Sequence, residues 1–198
     1  MKNELKLYSV SDRYIQFLRS DKRLDKVFSN KEDKRKHTRK YLGVVIQKGG
    51  FDYFIPLSSK RYSDYFIDEN GNTQIRKTIV PIIRMVITDT YSGEPELKGT
   101  LKISNMIPVP QGELTQYDIL SEKDVAYKDL VEKEYAFIKA NSALIQKYAD
   151  ILYNQKTKEN VLYAGREKPN YLESTIDFLY AETICEQFYA AKEAGKPS

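Results

Sequence analysis

The chain has 198 residues, 41% of them hydrophobic and 30% charged, with a formal net charge of +4. That length suits one domain around a single core, and the balance is that of a globular chain, not a disordered one. No apolar run approaches the roughly 18 residues that cross a bilayer, Met1–Leu5 lacks the apolar core of a secretory signal, and the lone Cys185 excludes a disulfide framework or a cysteine-based zinc site within the chain.

A reducing, cytoplasmic setting is therefore expected. His37 is the only histidine, so a paired-histidine ribonuclease site cannot form within one chain. Acid–base chemistry must come from Lys, Tyr, Ser, Thr or carboxylates, or from His37 alone.

In chain order, Leu5–Val10 alternates as a strand does, and Ser11 or Asp12 can cap a short helix that buries Tyr14, Ile15 and Leu18. Ser20–Thr38 has no steady period and reads as a long charged surface loop. From Lys22 to Lys40 nine cations face three anions, which leaves the rest of the chain net negative. A confined positive field of that kind suits a polyanionic partner, with Lys31, Lys34, Arg35, Lys36 and Lys40 as phosphate contacts. The plainer reading is a solvated basic loop.

Tyr41–Gln47 and Phe51–Leu57 read as a hairpin joined through Lys48-Gly49-Gly50. Asp68–Asn72 is a further turn. Ile79–Thr88 is a strand that Pro81 places at an edge or bulge, Gly93–Gly99 a turn-rich connection, and Leu101–Val109 a strand ended by Pro108 and Pro110.

From Ser121 the period becomes helical. Leu130/Val131, Phe137/Ile138, Leu144/Ile145 and Ile151/Leu152 recur every seven residues along one helix of roughly 30 residues. Asn141 falls near that stripe, where it can kink or cap the helix or offer its amide to a ligand. Asn154–Pro169 is a polar connection, and Ile176, Leu179, Tyr180, Ile184 and Phe188 mark a last amphipathic helix. The predicted plan is one α+β domain over residues 1–198, with a β-rich core at about 5–110 and a helical part at about 121–194.

Chemistry has one natural home in this plan. The apolar run ending Pro56-Leu57 delivers Ser58, Ser59, Lys60 and Arg61 together. Cleavage of RNA by its own 2′-hydroxyl needs in-line geometry, charge stabilisation and proton transfer, and hydroxyls with cations serve the first two. If the hairpin forms, Arg39 and Lys40 lie beside Ser58 and Ser59, and the Ser59 hydroxyl should share one surface depression with Arg39 or Lys40. His37 adjoins this site as a poor candidate base, and Tyr62 is placed to stack on a base. Taken alone, the Ser-Ser-Lys-Arg segment reads first as a hydroxyl-stabilised turn with a solvated cation pair.

Several segments, in order, resemble the ToxN/AbiQ family, the endoribonuclease toxins of type III toxin–antitoxin systems. They are Leu7–Ser11 with Tyr14–Arg19, Arg39–Ile46, Phe54–Lys60, Asn105–Pro110, and Tyr127–Leu130 through Tyr135–Asn141. The resemblance runs from about residue 5 to residue 155. It implies a compact, strongly bent antiparallel sheet related to the Kid/MazF barrel, with helices packed around it.

It also implies cleavage of cellular or phage mRNA to 2′,3′-cyclic phosphate and 5′-hydroxyl ends, and with one histidine, one cysteine and no close carboxylate cluster that cleavage is expected to need no metal or cofactor. The implied antidote is a small repeated pseudoknot RNA that the toxin processes and then holds in a closed assembly, with abortive infection as a common role. Residue by residue, Ser59 matches the family's key hydroxyl and Ser58 the threonine before it. Arg39 falls where some members carry an active-site lysine, so the charge is kept but not the readily released proton. Lys60 and Arg61 both lie near a second lysine. An upstream tyrosine has no counterpart; His37 or Lys36 occupies its vicinity. The alternative function is a non-catalytic RNA-binding module that uses the Lys22–Lys40 loop.

Overall fold

The computed structural model describes residues 5–31 and 36–194. Strand β1 (Lys6–Val10) runs into helix α1 (Asp12–Arg19), whose N-cap Ser11 accepts a hydrogen bond from the Tyr14 amide at 3.3 Å. Tyr14, Ile15 and Leu18 form its buried face, as the spacing predicts. The predicted charged loop does follow, with one 3₁₀ turn at Lys22–Leu24, but its described part is packed down. Leu24 and Val27 are buried, and the Asn30 amide donates to the Val10 carbonyl at 2.8 Å and to Asp12 at 2.9 Å. Lys34 and Arg35 lie outside the described residues.

The predicted hairpin is real in pairing but shorter on its first arm. β2 (Tyr41–Gly43) and β3 (Gln47–Lys48) both pair antiparallel with β4 (Phe51–Ser59), with Tyr41 opposite Pro56 and Gln47 opposite Asp52. Gly43 is required where it stands: a Cβ there would come within 2.1 Å of the Phe54 ring. β5 (Tyr65–Ile67) and β6 (Thr73–Ile75) form a separate hairpin around the Asp68–Asn72 turn, where Asp68 accepts the Asn70 and Asn72 amides.

β7 (Ile82–Thr88) begins just after Pro81 and pairs with β8 (Pro95–Lys102). β8 starts well before the predicted Leu101, inside the segment expected to be a connection. The remaining strands are β9 (Ile107–Pro108) on β4 and β10 (Leu114–Gln116) on β1. The main sheet runs β10-β1-β2-β4-β8-β7, wholly antiparallel, with β3 and β9 also on β4. Its path is open among the described residues, from β10 at one end to β7 at the other, and does not close into a barrel. Closure would need β7 to pair with β10.

The predicted long helix is two, α2 (Val125–Ala140) and α3 (Ser142–Thr157), broken at Asn141. The Asn141 side chain donates to the Phe137 carbonyl at 2.9 Å, so the residue caps α2. Short helices α4 (Glu159–Leu162) and α5 (Tyr171–Ser174) occupy the predicted connection and its sequel, and α6 (Phe178–Ala194) closes the chain. Ile184 is buried as predicted, while Leu179 is exposed. Tyr53 of β4 and Tyr153 of α3 both donate to the Glu182 carboxylate of α6, at 2.7 and 2.8 Å, which ties sheet and helices into one apolar cluster. No helix among the described residues is long and apolar enough to cross a membrane.

Candidate nucleic-acid site at the end of strand β4

Strand pleating decides which of the predicted residues meet. Tyr41 faces Pro56, and the Leu57 amide donates to the Lys40 carbonyl at 2.9 Å, so residue 39 sits level with residue 58. Ser58 is opposite Thr100, and Thr100 is opposite Arg84. Side chains of one level share a face, and successive residues alternate. Arg39, Ser58, Thr100 and Arg84 therefore form a row on one face of the sheet. Lys40, Leu57, Ser59 and Gly99 belong to the other face.

The first face is rich in cations. Arg39 is 1% exposed; its guanidinium donates to the Leu57 carbonyl at 2.8 Å and the Ser29 carbonyl at 3.3 Å, with Phe28 4.4 Å from it. Arg61 follows β4 and lies 6.0 Å from the same ring. Arg84 is 6% exposed, with its guanidinium on Asp64 at 3.1 Å and on the Lys77 carbonyl at 2.7 Å. Lys102, paired through its backbone with Ile82, is 8% exposed. Burial lowers its pKa, Asp64 opposes that, and Arg61 and Arg84 add to it. Asp64, itself buried, also accepts the Arg61 amide at 2.9 Å. Arg84 and Lys102, with Arg61 nearby, thus surround the Asp64 carboxylate on the face opposite Ser59.

The second face carries a small depression of about 40 Å³ lined by Lys40, Ser58, Ser59, Tyr127 and Glu134, among others. The predicted sharing of one depression thus holds for Ser59 and Lys40, whereas Arg39 is turned inward. The Lys40 ammonium donates to the Ser9 hydroxyl at 3.3 Å and lies 4.2 Å from the Tyr117 ring centre. Burial lowers its pKa, opposed by Glu122. The Glu134 carboxylate closes over Gly99, where a Cβ would meet it at 2.2 Å.

The other predicted residues disperse. His37 stacks on Tyr127 at 3.9 Å and bonds Asp124 at 3.2 Å, which makes it a latch between the loop and α2. Lys36 pairs with Asp124 at 2.5 Å and Lys31 with Asp12 at 3.1 Å, so part of the loop's charge is already answered. The Lys36 ion pair holds the Asp124 carboxyl well below the usual range. Lys60 and Arg61 are exposed beside Ser59, and Tyr62 is 93% exposed next to them. Asn141 does not line the depression.

Arg84, Lys102, Asp64 and Glu134 were not picked out from sequence. One signal was available: an arginine inside the apolar run Ile82–Thr88 needs a buried partner.

The fold is an open antiparallel sheet backed by helices, with hydroxyls and cations side by side at the end of β4. The chain belongs to the family of the toxin ToxN of type III toxin–antitoxin systems, whose sequence model matches residues 6–186. It is 28% identical to the endoribonuclease ToxN of Bacillus thuringiensis subsp. kurstaki, over 98% of this chain and 89% of that one. It is 30% identical to the endoribonuclease AbiQ of Lactococcus lactis subsp. lactis, over 90% of this chain and 86% of that one. Among solved structures, a lactococcal anti-phage endoribonuclease, AbiQ, superposes with a TM-score of 0.71 at 25% identity, covering 95% of this chain and 99% of that one. A chain from a type III system described by selective toxin inhibition through a non-coding RNA pseudoknot gives 0.70 at 27% identity, covering 94% and 99%.

Proposed function

We propose that this protein is an endoribonuclease toxin that cuts RNA without a metal ion, by attack of the 2′-hydroxyl on the adjacent phosphate. The products are a 2′,3′-cyclic phosphate and a 5′-hydroxyl. The observation that carries the reading is the accessible end of β4, where Ser59 shares a depression with Lys40 and is followed by the exposed Lys60 and Arg61.

The scissile phosphate is placed over the Ser58–Ser59 end of the strand. Ser59 presents its hydroxyl to a phosphoryl oxygen, and Lys60 and Arg61 hold the same group from outside. Arg39 acts from behind: it fixes the strand end through the Leu57 carbonyl and adds its field. Charge on the phosphorane grows where fixed donors already wait, which is how such sites lower a barrier. Tyr62 offers a ring to a neighbouring unpaired base. Lys31, Lys34, Arg35, Lys36, His37 and Lys40 serve the approach of the RNA strand.

Family membership supports the rest of the proposal: a small repeated pseudoknot RNA that the toxin processes and binds in a closed assembly, and a role in phage defence within the cytoplasm. It also supports kinship of the open sheet with the Kid/MazF core, and one functional unit over the whole chain. The test is incubation of a defined RNA in EDTA, with end-group analysis. Cyclic-phosphate and 5′-hydroxyl ends are expected; intact RNA that is nevertheless bound points to a binding module.

A further inference from the structure

Beyond the end of β4, the hairpin β5–β6 carries a second surface on which cations and exposed apolar side chains stand together. Phe66 of β5 is opposite Gln74 of β6, so their side chains share a face, and Arg76 two residues on joins them. The Arg76 guanidinium lies 5.7 Å from the centre of the Phe66 ring. Phe66 is 41% exposed, and Ile79, on the approach to β7, is 48% exposed. An apolar patch rimmed by polar groups marks a contact surface.

A depression of about 630 Å³ lies over this face. Phe66, Ile75 and Ile79 give its apolar walls, and Arg76, Lys77 and Arg84 its charge; no carboxylate lines it among the described residues. Arg84 is the fixed part, held by Asp64 at 3.1 Å and by the Lys77 carbonyl at 2.7 Å. Asp64 is buried, and its carbonyl accepts the Arg76 amide at 2.9 Å, which anchors the base of the hairpin. Arg76 and Lys77 themselves are exposed.

Charge and position decide what covers this surface. A second copy would bring the same patch to a two-fold contact, and like charges would then oppose one another. A single-stranded nucleic acid brings both complements, phosphates for the cations and a flat base for the ring. The surface also continues from the proposed cleavage site. Lys60, Arg61 and Tyr62 are exposed and lead from Ser59 into the hairpin. The Arg61 amide donates at 2.9 Å to the same Asp64 carboxylate that holds Arg84.

We infer that the outer face of β5–β6 is a second RNA-binding site, which takes an unpaired nucleotide away from the cut. Its base lies against Phe66, and the flanking phosphates meet Arg76 and Lys77. The inference rests on the endoribonuclease reading above and says where the strand runs once it has left Ser59. No bond is made or broken here; the site adds affinity for RNAs long enough to reach it.

The experiment uses a short RNA that spans only the cut, and the same RNA extended by about eight unpaired nucleotides at its 5′ end or at its 3′ end, within the reach of single-strand grooves. Cleavage is followed in EDTA, and affinity is measured on versions with a 2′-deoxy nucleotide at the cut. Wild-type protein should bind one extended RNA more tightly than the short one. Phe66→Ala and Arg76→Gln should raise KM and Kd for that RNA by about 5- to 100-fold, the usual worth of one stacked base. kcat should hold, as should both constants for the short RNA. Phe66→Tyr should restore the affinity, and Arg76→Gln should lower the slope of log affinity against log salt by about 0.7. Thermal melting reports folding of each variant.

Extended RNAs that bind wild type no tighter than the short one overturn the inference. Equal losses on short and extended RNA do the same, since the ring is then structural. So does a concentration-dependent dimer in sedimentation that Phe66→Ala abolishes with RNA affinity unchanged, which gives the patch to a second copy. A wild-type protein that cuts no RNA, yet binds the extended one in a Phe66-dependent way, supports this site and overturns the endoribonuclease reading instead.

Discussion

At the scale of single residues, the end of β4 divides labour between hydroxyl, guanidinium and glycine. Ser59 sits where sheet pairing with Gly99 fixes the backbone but leaves the side chain accessible. Ser59→Ala should therefore lower single-turnover cleavage by about 10²–10³, the usual cost of one transition-state donor, while affinity for uncut RNA changes little. A filter-binding titration beside the cleavage assay checks both numbers; parallel losses would make Ser59 a binding or folding residue.

Gly43 carries a different constraint. A methyl group there meets three carbons of the Phe54 ring within 2.9 Å. Gly43→Ala should destabilise the fold by about 1–3 kcal/mol, the range of overpacked cores, read as a lower urea midpoint at unchanged slope. Sequence displayed the hydroxyl pair and the neighbouring cations because they are contiguous. It did not display that Arg39 turns inward, since that depends on pleat phase and on the Leu57 carbonyl lying within its reach.

At the scale of elements, the tie between α1, the turn before β10, and α6 is electrostatic. Glu113 accepts from Ser11, Arg13 and Lys192, whose ammonium lies at 3.0 Å. Burial pushes its pKa up, but these hydrogen bonds outweigh that and hold it at about 2, against an ordinary 4.5. A carboxyl whose folded pKa is depressed contributes stability above its unfolded pKa. That contribution is lost as pH falls from about 4.5 towards 2. Glu113→Gln should flatten the acid limb of the stability curve in that window, with little change in its pH dependence above about 6. Denaturant unfolding at a series of pH values measures this.

Element boundaries were partly legible. The seven-residue stripe announced the α2–α3 pair, but Asn141 was ambiguous until its amide was seen to cap Phe137. β8 was missed in its first half because Pro95, Glu96 and Lys98 carry no strand signature. Its pairing with β7 comes from tertiary register, which overrides local propensity. The main sheet was legible as antiparallel but not as open, because closure depends on whether β7 meets β10 and neither strand encodes that.

At the scale of the molecule, charge sets how RNA arrives. The loop from Lys22 to Lys40 is the most basic stretch in sequence, yet Arg23, Lys31 and Lys36 each face a carboxylate. Lys60 and Arg61 stand beside Ser59 at the surface. Replacing Lys60 and Arg61 with Ala should reduce the slope of log affinity against log salt by roughly 1.4, two contacts at about 0.7 each for a single strand. Replacing Lys31 and Lys36 should reduce it less. The opposite ranking would put the RNA mainly on the loop.

The central claim is that the cation-ringed end of β4 cleaves RNA through the RNA's own 2′-hydroxyl. It is tested most directly by one comparison in EDTA: an RNA against the same sequence with a single 2′-deoxy nucleotide at the cut. The account predicts cleavage of the first to 2′,3′-cyclic phosphate and 5′-hydroxyl ends, and none of the second at that position. Cleavage of both, or cleavage restored only by added magnesium, would contradict it.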